Sequence, residues 1–248
     1  MCKGVFMNKI ERVRSTLADL KTDRPPVSFW FHFPQEKARG LASVNAHLVY
    51  YRKVDIDFLK VMNEHPYQTD IEIKTPEDWK KIKPAPISSD FYQQQLDKLK
   101  LILDKIQGDC LVITTIFNPF SSANHASNNL VMDHIRENPL VVNEGFKKIA
   151  ESLAEFSQKC LEAGAAGIYY SAQGGENYRF HEDEFLQYIK PHDLTVLNAI
   201  QSLGEFNLLH ICKDNIRLPL YRDYPANAVN WAVTKNSVSL EEGKALFQ

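Results

Sequence analysis

The sequence alternates short apolar segments with longer segments whose apolar residues recur at helical spacing. The clearest apolar segment, residues 110–117, is hydrophobic or β-branched at nearly every position, as expected of a strand buried on both faces of a parallel sheet. The clearest helical segment opens at Asn138-Pro139 and runs to about Ala163, and Gly164 ends it. This alternation predicts βαβ units built around a parallel sheet.

Six strands and several helices follow from this pattern. The strands are predicted over residues 27–33, 57–62, 110–117, 166–171, 206–212 and 228–233. Helices are predicted over residues 8–21, 35–52, 91–106, 138–163, 182–203 and 239–247, with a further helix start at Thr75-Pro76. No repeat or linker interrupts the pattern, so residues 1–248 are predicted to form one α/β domain.

Composition excludes several classes of protein. The hydrophobic content of 44% and charged content of 24% are those of an ordinary globular domain. The net charge of −2 comes from interspersed acids and bases, which gives no basic face for nucleic acid or for a membrane surface. No segment is long and apolar enough to cross a bilayer, the N-terminus lacks a signal-peptide pattern, and the cysteines are irregularly spaced. These features predict a cytoplasmic protein with reduced thiols.

His210 and Cys212 form the most informative local motif. Side chains two positions apart on a strand share one face, so the motif directs an imidazole and a thiol to the same side of the predicted strand 206–212. Neutral imidazole and thiolate are ligands that zinc prefers, and the pair supplies half of a tetrahedral site. The alternative is a buried cysteine beside a histidine that is hydrogen-bonded for structural reasons.

Seven segments, in order, carry a resemblance to a known family. They are ERV…L…DRPPV (11–27), DFLKVMNE (57–64), TPEDWKKIKP (75–84), CLEAGAAGIYYSAQGG (160–175), YIKPHDLTVLNAI (188–200), LLHIC (208–212) and AVNWAV (228–233). Across essentially its whole length the chain resembles the uroporphyrinogen decarboxylase (URO-D) superfamily, which includes cobalamin-dependent methyltransferases acting on thiols. The resemblance implies a distorted (β/α)8 TIM-type barrel whose last βα units are missing from these 248 residues. An incomplete sheet leaves unpaired edges, which makes a homodimer an expected assembly.

The resemblance offers decarboxylation of a tetrapyrrole as one chemistry. Glu64 stands where the decarboxylases keep an aspartate that holds the pyrrole nitrogens, and Ser171 matches a serine after the fourth strand. The arginine-rich motif of the first strand is replaced by Phe31-His32-Phe33-Pro34, and His125 or a neighbour stands in place of a tyrosine. Loss of the arginines, which grip carboxylates bidentately, disfavours uroporphyrinogen as the substrate.

Zinc-dependent methyl transfer is the other chemistry, and it is the preferred one. The methyltransferases bind zinc through an H-x-C motif on the fifth strand and a further cysteine, and a corrinoid donates the methyl group to the zinc-activated thiolate. His210 and Cys212 match the motif, which implies zinc as cofactor and a corrinoid protein as partner. Lys213 replaces the usual glycine, Asn230 stands where related enzymes offer an acid, and the final cysteine is absent.

Four further residues complete the predicted site of a small-molecule enzyme. His32, Lys60, Asn118 and Gln173 are predicted to contact substrate, as is Asn230, while Glu64 and Ser171 are the predicted catalytic residues. Each has a structural alternative: Lys60 suits an ion pair with Asp57, and Asn118 suits turn chemistry. A third function also stays open, an inactive family member that binds a small acid or tetrapyrrole.

Overall fold

The structure, a computed structural model, describes residues 6–247. Its centre is a five-stranded parallel sheet with strands in the order of the chain. The strands are β1 (Phe58–Val61), β2 (Leu111–Phe117), β3 (Gly167–Ala172), β4 (Leu208–Ile211) and β5 (Ala228–Trp231). All four neighbouring pairs are parallel, which confirms the predicted α/β class. Within residues 6–247 the sheet does not close into a barrel.

Helices connect the strands. They are α1 (Lys9–Leu17), α2 (Gly40–Val54), α3 (Asp90–Ile106), α4 (Pro119–Ala126), α5 (Val131–Glu137), α6 (Pro139–Glu162), α7 (Glu182–Glu184), α8 (Lys190–Ile200), α9 (Val233–Asn236) and α10 (Leu240–Leu246). Short 3₁₀ turns lie at Gln35–Lys37, Pro76–Lys80 and Leu218–Tyr221, and a π turn at Phe185–Ile189. In the described part of the chain, none of these helices has the length and apolar character that a bilayer crossing requires.

The two faces of the sheet have different coverings. On the outer face, Leu59, Val112, Ile168 and Leu209 belong to a large core that includes the apolar sides of α3, α6 and α8. On the opposite face, which we call the inner face, a smaller cluster contains Phe58, Leu111, Ile113, Tyr169 and Leu208, and α1 covers it through Val13. Because alternate residues of each strand point to opposite faces, this division assigns every strand residue to one side.

The predicted and observed elements differ in several places. Residues 27–33 lie beside β1 but form no strand, because they lack the ladder of backbone hydrogen bonds that a strand needs. The Asp57 N–H donates to the Val27 carbonyl at 2.8 Å, and the Ser28 hydroxyl donates to the Phe58 carbonyl at 2.8 Å. Helices α4 and α5 were not predicted. The predicted helix 182–203 is divided by the π turn before Pro191, because proline lacks the N–H that a continuous helix needs.

A buried carboxylate joins the N-terminal segment to the sheet. Asp57, fully buried at the start of β1, accepts hydrogen bonds from Arg12 Nη1 at 2.6 Å, from Arg24 Nη1 at 2.6 Å and from the Val27 N–H at 2.7 Å. Arg12 also pairs with Asp23 at 2.7 Å. The structural alternative for Lys60, an ion pair with Asp57, does not form: residues three apart on a strand point to opposite faces, and two arginines occupy the carboxylate.

We expect Asp57→Asn to lower the free energy of unfolding by about 2 kcal/mol, because it removes the carboxylate shared by two arginines and leaves the buried Arg12 with one counter-charge, Asp23, in place of two. The loss falls below that of a fully buried pair because the Arg24 side chain is 45% exposed. The measurement is urea unfolding followed by circular dichroism. Asp55→Asn is the matched control, since the Asp55 side chain is 82% exposed in its ion pair with Lys9 and such pairs contribute little. Equal stability of the two variants would contradict this role of Asp57.

Candidate functional site

Polar side chains line up across the carboxyl ends of three strands. Phe117 pairs in register with Ser171, Ser171 with His210, and His210 with Asn230. Register partners in parallel strands point to the same side of a sheet. Ser171 is two residues after Tyr169, which lies on the inner face, so the whole row lies on the inner face. The sheet thus brings Ser171, His210 and Asn230 together. They lie at the carboxyl-end edge, where α/β folds place their catalytic and binding residues.

His210 is held in one orientation by two neighbours. Its ring stacks on Tyr169 with centroids 5.1 Å apart, and its Nδ1 lies 2.6 Å from Asn230 Oδ1. The amide oxygen can only accept, so Nδ1 carries the proton and the Nε2 lone pair is free. Burial lowers the pKa of His210 to about 4, the Asn230 contact opposes this, and the charge of Lys60 lowers it further. The imidazole is therefore neutral at physiological pH, the form in which histidine binds metals.

Cys212 lies directly beyond β4, two positions after His210, and the strand period assigns it to the same face. Its backbone N–H continues the strand pairing by donating to the Ala172 carbonyl at 2.9 Å, and its residue is partly exposed. Burial raises the pKa of the thiol, while the adjacent Lys213 lowers it. Within residues 6–247 no group of three or more His, Cys, Asp or Glu side chains is placed to hold a metal ion, so His210 and Cys212 offer two donor atoms without a third from this set.

Lys60 is a buried cation on the inner face of β1. Its Nζ lies 4.0 Å from the ring centre of Tyr169 and 4.9 Å from that of Trp30, and the residue is 6% exposed. Burial lowers the pKa of Lys60 to about 7, against the opposing effects of Cys212 and Glu64. Four aromatic residues of the strands and of the N-terminal segment divide between the two faces: Tyr169, Trp30, Tyr170 and Trp231. Tyr169 and Trp30 lie on the inner face, whereas Tyr170 and Trp231 pack in the outer core.

An open cleft of about 320 Å³ lies at the mouth, beyond the ends of β1, β2 and β3. Glu64 binds His32 through Nδ1 at 3.0 Å, and His125 and Gln173 line the same cleft. The chain leaving β1 is fixed there because the Met62 N–H donates to His47 Nε2 at 2.9 Å and Lys98 Nζ donates to the Met62 carbonyl at 2.7 Å. The cleft therefore brings Glu64, His32 and Gln173 together.

Asn118 is fully buried and its side chain is occupied by the protein. Its Oδ1 accepts from the Ser121 N–H at 3.0 Å and caps α4, while its Nδ2 donates to the Gln173 carbonyl at 2.9 Å and to Asp193 Oδ1 at 3.0 Å. These contacts make Asn118 a support for the loop that carries Gln173, in place of the substrate contact expected from the sequence.

Asp193 was missed by sequence reasoning. It lies on the apolar stripe of α8 and is fully buried, accepting hydrogen bonds from the Tyr170 hydroxyl at 2.8 Å and the Tyr224 hydroxyl at 2.9 Å in addition to Asn118. Burial raises its pKa to about 7 because these donors are all neutral. The available signal was an acid at a position where helical spacing predicts an apolar residue.

Comparisons with known proteins give two findings. The family model described as uroporphyrinogen decarboxylase (URO-D) matches residues 54–245. Among solved structures, a methyltransferase from Methanosarcina mazei superposes with a TM-score of 0.76 at 15% sequence identity, covering 97% of this chain and 80% of that one. At this identity the structural likeness concerns the fold. No curated protein matches the chain.

Replacing Asp193 with Asn should change how stability depends on pH. The folded pKa of about 7 exceeds the unfolded value of about 3.9. The contribution of this group is therefore complete below about pH 4 and is lost as the pH rises to 7. Between these limits we expect the stability of Asp193→Asn, relative to the parent, to rise by about 1.4 kcal/mol per pH unit. Urea unfolding at several pH values measures it, and parallel curves would contradict it.

Asn230→Leu should release the His210 ring from its single tautomer. In metal-free protein, ¹⁵N NMR is expected to show the proton on Nδ1 of His210, and the variant should move population toward the Nε2-protonated form because the acceptor at Nδ1 is gone. His192, whose Nε2 lies 2.7 Å from Asn143 Oδ1, is an internal control that should not change. An unaltered His210 spectrum would show that Asn230 does not set the tautomer.

Proposed function

The chain belongs to the uroporphyrinogen decarboxylase (URO-D) family, and from that premise we propose that it transfers a methyl group from a corrinoid to a thiol substrate. The observation that carries the proposal is the inner-face arrangement of His210 and Cys212. Asn230 directs the Nδ1 proton away and leaves the Nε2 lone pair for a ligand, and hydrogen bonding of the second ring nitrogen is the usual support of a metal-binding histidine.

The proposed cofactor is zinc. An imidazole nitrogen and a thiol are donors of the kind that zinc prefers, and His210 and Cys212 would hold the ion as two of its ligands. When bound, zinc would lower the pKa of a thiol so that it is present as a nucleophilic thiolate at neutral pH.

The other residues of the inner face favour the same reaction. The positive form of Lys60 would stabilise a thiolate by Coulomb attraction, and Trp30 and Tyr169 keep water from this part of the face. Ser171, Glu64 and Gln173 lie at the mouth, where they would contact the body of the substrate, and His32 is held there by Glu64. A corrinoid protein would approach from the same open side. The homodimer expected from the unpaired edges of the sheet remains a prediction.

Decarboxylation of a porphyrinogen-like substrate is a second candidate. It is favoured by the carboxylate of Glu64, which faces the open cleft beside His32 and can accept hydrogen bonds from pyrrole nitrogens. A binder without turnover would use the same cleft.

Metal analysis and a methyl-transfer assay test the proposal together. We expect about one zinc per chain in protein purified without chelator, lost in Cys212→Ala and His210→Ala because each removes a ligand. Cys160→Ala is the matched control, since Cys160 is buried in the outer core. Methylcobalamin and a panel of small thiols serve as substrates, and thiol methylation should disappear with the zinc.

Other outcomes point to the other functions. Protein that contains no zinc and methylates no thiol overturns the proposal. In that case, release of carbon dioxide from a porphyrinogen supports the second candidate, and tetrapyrrole binding without turnover supports an inactive member. A zinc content that survives Cys212→Ala would place the ion elsewhere.

A further inference from the structure

Lys60 has surroundings that are unusual for an ammonium group. It is on the inner face of β1, in register with Ile113, and its Nζ lies over the ring faces of Tyr169 and Trp30. Within residues 6–247 it forms no ion pair and no side-chain hydrogen bond. Ring faces compensate a buried charge only partly, so the environment favours the neutral amine, and burial lowers the pKa of Lys60 accordingly.

Tyr169 adds an unused hydrogen-bonding group to the same place. The residue is 1% exposed, and its hydroxyl has no hydrogen-bond partner in the described part of the chain. A buried hydroxyl without a partner costs free energy, which a ligand with an acceptor oxygen would recover. Burial raises the pKa of this phenol, so it remains a donor.

We propose that Lys60 is a carbonyl-reactive amine that forms an imine with a small aldehyde or ketone on the inner face. The Nζ lone pair attacks the carbonyl carbon, forming a C–N bond and a carbinolamine. The oxygen of the carbinolamine accepts a hydrogen bond from the Tyr169 hydroxyl. This oxygen then takes up the two protons of the amine and leaves as water while the C=N bond forms. No electrons are gained or lost. Desolvated lysines among apolar groups are the ones that act as Schiff-base nucleophiles.

This activity goes beyond methyl transfer and gives Lys60 a different role, that of a nucleophile instead of a charge beside a thiolate. Imine formation needs the amine of Lys60 and a carbonyl compound, whereas the proposed methyl transfer needs His210, Cys212 and a thiol. The two proposals can therefore fail separately. Imine formation is read from a covalent adduct on metal-free protein, and methyl transfer is read from zinc content and thiol methylation.

Reductive trapping tests the inference on the intact protein. Metal-free protein is treated near pH 7 with acetaldehyde and cyanoborohydride, which convert an imine into a stable ethylamine, and peptide mass spectrometry follows each lysine. We expect Lys60 to be modified about tenfold faster than typical exposed lysines, which are almost wholly protonated at this pH. Acetaldehyde is chosen because it is small enough for a residue that is 6% exposed.

Lys98 is the matched control within the same molecule. It is 4% exposed, burial lowers its pKa to about 8, and its Nζ donates to the Met62 carbonyl at 2.7 Å on the outer side of β1. Lys98 should remain unmodified. Tyr169→Phe should slow trapping at Lys60 several-fold without unfolding the protein, and Lys60→Arg should form no adduct at position 60.

Two results would overturn the inference. One is an unmodified Lys60 in wild-type protein whose surface lysines have reacted, which shows that carbonyl compounds do not reach or engage the amine. The other is modification of Lys98 at the same rate, which shows that burial alone accounts for the reactivity. Both are read from wild-type protein, so the test does not depend on the folding of any variant.

Discussion

The anchoring of the N-terminal segment by Asp57 is the interaction on which the rest of the inner face depends. Residues 27–33 make few backbone hydrogen bonds to β1, so the ladder that normally holds a strand does not hold them. The charge-assisted bonds from Arg12, Arg24 and the Val27 N–H to Asp57 do so instead. Without them Trp30 and His32 would lose their positions over Lys60 and Glu64, and α1 would no longer cover the apolar part of the face.

Three buried ionisable groups show how differently the fold compensates charge. Asp57 is paired with two guanidinium groups, which favour its ionised form and hold its pKa below the usual range even though burial opposes this. Asp193 receives only neutral donors, and burial raises its pKa. Lys60 has aromatic faces alone, and its pKa falls. Full pairing suits a structural anchor, whereas incomplete compensation leaves a group that a ligand can still satisfy.

Much of the fold was predictable because the patterns are local. The apolar run before Phe117 and the stripe of α6 fixed the class and most element positions, and period two alone predicted that His210 and Cys212 share a face. The features that could not be predicted depend on contacts between residues that are far apart in the sequence. Asp57 was offered as an alternative partner of Lys60 because the two are close in sequence, but the arginines that bind Asp57 lie 45 and 33 residues away. Asn118 was given a substrate contact because the cap it forms for α4 belongs to a helix that was not predicted.

The electrostatic coupling of the inner face links its two proposed chemistries. Burial is the main reason that His210 is neutral, and the charge of Lys60 acts in the same direction. A thiolate at Cys212 would in turn favour the charged form of Lys60. Thiol chemistry therefore calls for Lys60 as a cation, whereas carbonyl chemistry calls for it as a free amine. One lysine cannot do both at once, so the charge of the ligand that enters first would decide which reaction the face supports.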